Sequence, residues 1–193
     1  MAAQQAPLQG KRVAFLATDG VEEIEYTQSR DAAEQAGARV ELISNKSGSI
    51  QAMRHDIDKG AVLTVDRLVT EANASDYDAL VLPGGAVNPD RLRMDPDAVA
   101  FTLAFFAEAK PVAAICHGPW TLVEADVVEG RTLTSYPSLR TDIINAGGIW
   151  VDAEVSIDSG LVTSRSPKDL PAFCAAMVEE FAEGRHAGQL TSV

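Results

Sequence analysis

Cys116 and His117 supply the residue types that nucleophilic catalysis needs, a thiol and an imidazole. They follow the apolar run Val112–Ile115 and precede Gly118 and Pro119, so a buried strand is predicted to turn directly into a helix. This order is related to the G-x-S-x-G nucleophile elbow, with Cys in place of Ser. The start of a helix lowers the pKa of a thiol, so we expect Cys116 to be largely thiolate at pH 7.

The alternative for Cys116 is a small buried core residue, which is the commonest environment of a free cysteine. The adjacent His and the small flanking residues favour the reactive interpretation. Cys174 lies on the apolar side of a predicted helix with no His nearby, and we interpret it as core. His55 and His186 stand alone in polar surroundings, so we place them at the surface. No zinc pattern, P-loop or G-x-G-x-x-G is present, and we expect neither a metal nor a cofactor.

A Pro-Gly-Gly turn is the second candidate element of a site. Gly84 and Gly85 follow the apolar run Ala79–Leu82, and their backbone N–H groups can stabilise an oxyanion. The N–H of His117, the residue after the nucleophile, is a further candidate donor. A plain tight turn also explains the glycines, and both interpretations can hold together.

Alternating strands and helices must position these residues. Apolar runs without polar alternation predict buried parallel strands, and helical patterns lie between them. The predicted strands are Val13–Ala17, Val40–Ile43, Ala79–Leu82 and Val112–Ile115, and the predicted helices run from about Glu22 to Ala36, from Asp95 to Lys110, and onward from about Asp169. The pattern predicts an α/β protein with a doubly wound, mostly parallel sheet and helices on both faces, whose ligands bind beyond the carboxyl ends of the strands. Residues 51–66 are less regular, and the turn 158–160 favours a hairpin.

Composition narrows the function classes. The 193 residues are 46% hydrophobic and carry a formal net charge of -12, which favours one globular domain and excludes a binder of nucleic acid or a polybasic membrane anchor. The start of the chain has neither a secretory apolar region nor a spanning segment, so we expect a cytoplasmic protein with no membrane contact. We expect one domain over residues 1–193, with residues 1–10 and 184–193 as loosely ordered ends.

The segment A-I-C-H-G-P at residues 114–119 resembles the signature of the PfpI-type intracellular proteases in the ThiJ/PfpI superfamily. The likeness extends to the residues Glu22-Glu23-Ile24-Glu25, Leu82-Pro83-Gly84-Gly85, Thr134-Ser135-Tyr136-Pro137-Ser138-Leu139 and Thr163-Ser164-Arg165. It implies a flavodoxin-like three-layer sandwich related to class I glutamine amidotransferases. The superfamily includes peptidases, glyoxalases or protein deglycases, stress proteins and redox sensors.

By position, the resemblance makes Cys116 the nucleophile and His117 its base, with a carboxylate supplied by a neighbouring subunit. That carboxylate falls on Asp90, where PfpI-like proteins usually have the longer Glu; a surface residue at a helix start is the alternative. The resemblance also implies that Glu25 donates or shares a proton with the cysteine, which needs a pKa raised by burial and like charge. The oligomer is then a dimer at minimum.

Two aromatic residues, Tyr136 and Trp120, are expected to line the pocket, although aromatic residues are as common in cores. The leading hypothesis is a cysteine hydrolase acting on a carbonyl carbon, in a peptide, a glycated protein or a small carbonyl compound. The alternative is a stress-related redox sensor or holdase that uses the same thiol. An amidotransferase-like subunit is a third hypothesis, but those relatives take their base from a distant His.

Overall fold

The computed structural model describes residues 6–189. Its strands are β1 (Arg12–Leu16), β2 (Arg39–Ser44), β3 (Ser49–Arg54), β4 (Asp58–Thr64), β5 (Arg67–Leu68), β6 (Ala79–Leu82), β7 (Val112–Ile115), β8 (Thr132–Leu133), β9 (Ile149–Trp150), β10 (Val155–Asp158) and β11 (Leu161–Ser164). Its α-helices are α1 (Glu23–Gln35), α2 (Val87–Leu92), α3 (Pro96–Ala107), α4 (Pro119–Glu124), α5 (Arg140–Asn145) and α6 (Leu170–Glu183).

A seven-stranded sheet in the order β10-β11-β7-β6-β1-β2-β5 forms the centre of the fold. All neighbours pair in parallel except β10 and β11, which form the predicted antiparallel hairpin. The order reverses at β1, which lies between β2 and β6. Such a switch point opens a crevice beyond the carboxyl ends of the strands, and there the chain leaves β1, β6 and β7.

The core consists of two apolar layers, one on each face of the sheet. Alternate residues of one strand enter different layers: Val13 and Phe15 pack on one side, Ala14 and Leu16 on the other. Phe105 of α3 lies in the layer of Ala14, whereas α1 and α6 lie on the opposite face. This three-layer arrangement confirms the predicted α/β sandwich and explains why its central strands carry no polar alternation.

Local signals explain where α3 begins and ends. The side chain of Asp95 accepts hydrogen bonds from the N–H groups of Asp97 (3.0 Å) and Ala98 (3.3 Å), as predicted for an N-cap before Pro96. The helix ends at Ala107 rather than at Lys110, because Ala109 adopts a left-handed φ of 57°.

Both ends of the described part of the chain contact the core. Leu8 is fully buried, and its N–H donates to the carbonyl of Ala36 at 2.8 Å. Gln189 is also fully buried, and its carbonyl accepts a hydrogen bond of 2.7 Å from Arg131. These two residues therefore contact the folded domain, while the looser order expected for the chain ends stays a prediction. Residues 1–5 and 190–193 lie outside the described part. Across residues 6–189, no helix is long and apolar enough to cross a membrane.

Candidate active site

Cys116 forms a strained elbow between β7 and α4. Its φ is 62°, a left-handed value that is uncommon for a residue with a side chain. Two backbone hydrogen bonds fix the elbow: the N–H of Cys116 donates to the carbonyl of Ser164 (3.0 Å), and its carbonyl accepts from the N–H of Tyr136 (2.8 Å). A Cβ at Gly118 would overlap the carbonyl oxygen of Leu82, so the chain can leave the elbow only through a glycine.

His117 contacts the thiol directly. Its Nδ1 lies 3.2 Å from Sγ of Cys116, and its Nε2 lies 3.3 Å from Oγ of Ser138. Burial lowers the pKa of His117, while the charge of Asp56 acts in the opposite direction. A neutral imidazole with its proton on Nε2 fits both contacts, since Nδ1 can then accept the thiol proton while Nε2–H donates to Ser138.

Glu25 is the carboxyl group beside the sulfur. It is fully buried on α1, and its Oε2 accepts a hydrogen bond of 2.8 Å from the N–H of Gly84. Desolvation raises the pKa of Glu25 to about 8, although the Gly84 amide and Cys116 act to lower it. Glu25 is therefore largely protonated at neutral pH. Because Oε2 is already an acceptor, and Oε1 has no hydrogen-bond partner among the described residues, we assign the proton to Oε1.

The thiol itself does not have the environment expected from the sequence. Cys116 is 6% exposed, and burial is the largest cause that raises its pKa, followed by the negative charge of Glu25. The amides of Gly85 and His117 lower it but do not reverse the direction. Desolvation therefore disfavours the thiolate that the sequence predicts at pH 7. The start of the short helix α4 does not stabilise the thiolate enough to offset this effect. Cys116 and Glu25 form one coupled pair.

The candidate oxyanion donors divide into two kinds. The N–H of Gly84 is occupied by Glu25, so its expected oxyanion role is corrected to one of holding that carboxyl. A Cβ at Gly84 would lie 2.6 Å from Cβ of Cys116, so this residue also permits the close packing of the site. Gly85 and His117 have amides that face the sulfur, and these two remain the candidate donors.

The two aromatic candidates occupy different positions. Tyr136 lines the cleft, is 41% exposed, and stacks on the ring of His117 with centroids 4.6 Å apart. Trp120 contacts the same ring at 5.3 Å but is not part of the cleft lining; its indole N–H donates to Asp142 at 2.7 Å. Trp120 therefore supports His117 rather than forming the wall of the pocket.

Asp90 lies exposed on α2 and does not line the cleft of its own chain. The family resemblance implies a carboxylate next to Nε2 of His117. Within one chain, Nε2 contacts Ser138 instead. The role of Asp90 at the site of a neighbouring subunit stays a prediction.

Comparison with known proteins identifies the family. Residues 11–180 match the model of the DJ-1/PfpI family. The chain belongs to the DJ-1/PfpI family. It is 44% identical over 163 residues to a protein named putative cysteine protease YraA from Bacillus subtilis, covering 84% of this chain and 94% of that one. It is 42% identical over 165 residues to protein/nucleic acid deglycase 2 of Escherichia coli, covering 84% and 93%.

A solved structure gives the same result for the fold. A two-domain protein from Anabaena variabilis, with DJ-1/ThiJ/PfpI-like and ferritin-like domains, matches with a TM-score of 0.84 and 32% identity. The match covers 94% of this chain and 50% of that protein, so this chain spans half of its length. The sandwich is therefore the DJ-1/PfpI fold.

The cleft of this DJ-1/PfpI protein has a volume of about 430 Å³ and includes residues that the sequence analysis did not assign to it. They are Glu22, His55, Asp56, Ala86 and Pro167. The turn between β3 and β4 is fixed to the cleft by Asp56, whose Oδ1 accepts from the N–H of Ala86 at 2.6 Å and whose N–H donates to Glu22 at 3.3 Å. His55 is exposed as expected, but it stands at the mouth of the site. No local sequence pattern indicates that position.

The other residues placed outside the site are partly as expected. Cys174 is half-buried on α6 and packs against the core. His186 is partly exposed: 18% of its side chain is accessible, and it lies close to two glutamates.

Proposed function

We propose that the protein is a cysteine-dependent hydrolase of the PfpI type that acts on a small 2-oxoaldehyde or on the adduct such a compound forms with a protein. The observation that carries the proposal is the Sγ–Nδ1 contact of 3.2 Å between Cys116 and His117 at the strained elbow. The name of the E. coli relative, a deglycase, supports the same substrate class.

The shape of the cleft favours a small substrate over a polypeptide. Sγ belongs to a residue that is only 6% exposed, in a cleft of about 430 Å³ with Tyr136 at its wall. A compound of a few carbon atoms reaches such a sulfur without rearrangement, whereas a peptide segment needs a longer open groove. Peptidase activity, which the name of the B. subtilis relative suggests, is therefore our second candidate.

The first step follows from the neutral imidazole. Sγ attacks the aldehyde carbon, the S–C bond forms, and the thiol proton passes to Nδ1 of His117. The carbonyl electrons move to oxygen, where the amides of Gly85 and His117 stabilise the charge. This route uses the thiol in its protonated resting form, which agrees with the raised pKa of Cys116.

The second step needs a proton donor and a base. Glu25 gives its proton to the new oxygen, forming a hemithioacetal, and is then a carboxylate beside the substrate. The Glu25 carboxylate takes the hydrogen on that carbon as a proton, and His117 gives its proton to the neighbouring carbonyl oxygen, which forms an enediol. Glu25 then returns the proton to the neighbouring carbon and the first hydroxyl gives its proton to His117, so the adduct becomes a thioester of a 2-hydroxy acid. Water then cleaves the S–C bond and restores the thiol. The substrate carbons exchange oxidation levels internally, so no external oxidant is required.

We also propose that Asp90 of a second copy completes the site by facing His117. Val87 and Met94, at positions three before and four after Asp90, are exposed apolar residues, with Met94 72% exposed. An apolar surface around a carboxylate is typical of an interface. The proposed role of Asp90 requires an oligomer, a dimer at minimum, and has its own test.

The test compares Cys116→Ala with Cys174→Ala as the matched control. With methylglyoxal as substrate, lactate formation is expected in the parent and in Cys174→Ala, and is expected to be absent in Cys116→Ala. Turnover that survives in Cys116→Ala would contradict the proposal. A parent that cleaves a peptide but forms no lactate would replace the substrate class with that of a peptidase.

The redox-sensing alternative uses the same sulfur and differs in its outcome. A sensor is oxidised stoichiometrically by peroxide and releases no product. Burial and the raised pKa of Cys116 both slow that reaction, because peroxide reacts with the thiolate. Mass spectrometry after peroxide treatment, with Cys174 as internal reference, separates the two: selective oxidation of Cys116 without any turnover would favour the sensor.

A further inference from the structure

A second group of potential metal ligands lies at the carboxyl-terminal end of α6. It consists of Glu180, Glu183 and His186, and one ligand atom from each lies within 4.8 Å of the others. We propose that these three residues bind a divalent transition-metal ion, Zn²⁺ in the first instance. Carboxylate and imidazole are both ligands of Zn²⁺, and three protein ligands leave one position for water.

Buried, unsatisfied atoms distinguish this group from an ordinary acidic cluster. Glu180 is only 8% exposed, and its Oε2 is buried without a hydrogen-bond partner among residues 6–189. The same is true of Nε2 of His186. Oε2 and Nε2 face each other at ion-pair distance but make no hydrogen bond, and an ion held between them would satisfy both buried atoms.

The spacing of these atoms matches a shared metal ion. Oε2 of Glu180 and Nε2 of His186 are 3.4 Å apart. Two ligand atoms each about 2.1 Å from a tetrahedral Zn²⁺ stand about 3.4 Å apart. Oε2 of Glu183 is 4.0 Å from Nε2, and its side chain is exposed enough to move the remaining distance.

The local fold explains how the three residues meet. Glu180 and Glu183 are three residues apart and share one face of α6. The helix ends there, and Gly184 reverses the chain with a φ of 88°. The N–H of His186 then donates to the carbonyl of Ala109 at 2.9 Å, and its ring packs where a Cβ of Gly160 would lie. The imidazole is therefore positioned by its backbone and by a glycine.

This group is separate from the candidate active site. Gly160 precedes Leu161, the first residue of β11, which pairs with Val112 at the start of β7. Cys116 follows the other end of β7. The two sites thus lie at opposite ends of the sheet, and a bound ion would connect α6 to the segment after it rather than enter the reaction. Binding can therefore be read without measuring activity.

The experiment titrates Zn²⁺ into full-length, untagged Cys116→Ala protein by calorimetry, so that the thiol cannot supply a competing site. One Zn²⁺ per chain is expected, with affinity reduced at least about tenfold by His186→Ala. A thermal melt in Zn²⁺ at a hundredfold excess over Kd is expected to shift upward by about 5 °C or more. Unchanged affinity in His186→Ala, or no binding to the Cys116→Ala protein, would overturn the proposal.

A matched pair of glutamates controls for charge and folding. Glu183 and Glu179 are both exposed on α6, but only Glu183 belongs to the group. Glu183→Gln is expected to weaken Zn²⁺ binding, and Glu179→Gln is expected to leave it unchanged. Equal effects from the two substitutions would mean that Zn²⁺ is attracted only by the negative charge of the helix, which contradicts a defined site.

Discussion

Sγ of Cys116 lies 3.2 Å from Nδ1 of His117, although the two residues are consecutive. Neighbouring side chains of an extended strand point to opposite faces, so the contact requires the left-handed φ of 62° at Cys116. Such a conformation costs about 1–3 kcal/mol in a residue with a side chain. Hydrogen bonds from Cys116 to Ser164 and from Tyr136 to Cys116 hold it in place.

Replacing the base His117 is expected to lower activity far more than replacing Ser138, its hydrogen-bond partner. His117→Gln should lower kcat/KM about 10²–10⁴-fold, because the thiol proton then has no acceptor. Ser138→Ala should lower it about tenfold, the effect of one hydrogen bond that orients the ring. Steady-state kinetics with methylglyoxal measure both. Equal losses in the two variants would contradict the division of roles.

The sheet could be predicted because its central strands are covered on both faces. Val13–Ala17 and Val112–Ile115 are apolar throughout, and this pattern needs no knowledge of distant contacts. Residues 51–66 could not be predicted in the same way. There, β3 and β4 form a hairpin with an irregular register. β4 is largely exposed and only Ile50 and Ala52 of β3 are buried, so no apolar run marks the strands.

Glu25→Gln is expected to lower the pH at which Cys116 is alkylated. The charge of Glu25 is, after burial, the largest cause of the raised thiol pKa, and the substitution removes that charge. Iodoacetamide rates measured against pH give the ionisation directly, with Cys174→Ala in both proteins so that one thiol is observed. A shift toward higher pH would contradict this account of the pair.

The same carboxyl group is expected to make stability depend on pH. The pKa of Glu25 is raised from 4.5 to about 8 in the folded protein, so the folded state holds its proton more tightly than the unfolded state. This stabilisation is complete below about pH 4.5 and is lost as the pH rises through about 8.

Urea denaturation of the parent and of Glu25→Gln tests that dependence. Between about pH 5 and pH 9, the free energy of unfolding of the parent should fall by about 3–5 kcal/mol relative to that of the variant, since Gln does not ionise. A difference that stays constant over this range would show that Glu25 is already ionised in the folded protein.

Asp90 is tested by mixing two inactive or weakened proteins. If each site takes Cys116 from one chain and Asp90 from another, Cys116→Ala and Asp90→Asn should restore activity when they are refolded together. Light scattering at the assay concentration is expected to show a dimer or a larger oligomer. A monomer with full activity, or no recovery in the mixture, would remove Asp90 from the site.

Parts of the site were accessible from the sequence and others were not. Cys116 and His117 are adjacent, so their pattern is local and visible. Ser138 lies in a stretch noted for its likeness to the family, but its contact with Nε2 depends on how that stretch returns to the elbow. The acceptor of the Gly84 N–H, the carboxyl group of Glu25, could not be predicted, because a sequence does not show which acceptor an amide meets.

The most direct test of the mechanism is rapid quenching of the parent with methylglyoxal in acid, followed by mass spectrometry of its peptides. A lactoyl group is expected on the peptide that contains Cys116, appearing before free lactate, and none on the peptide that contains Cys174. Lactate formed with no adduct on Cys116 at any time would contradict covalent catalysis by this sulfur.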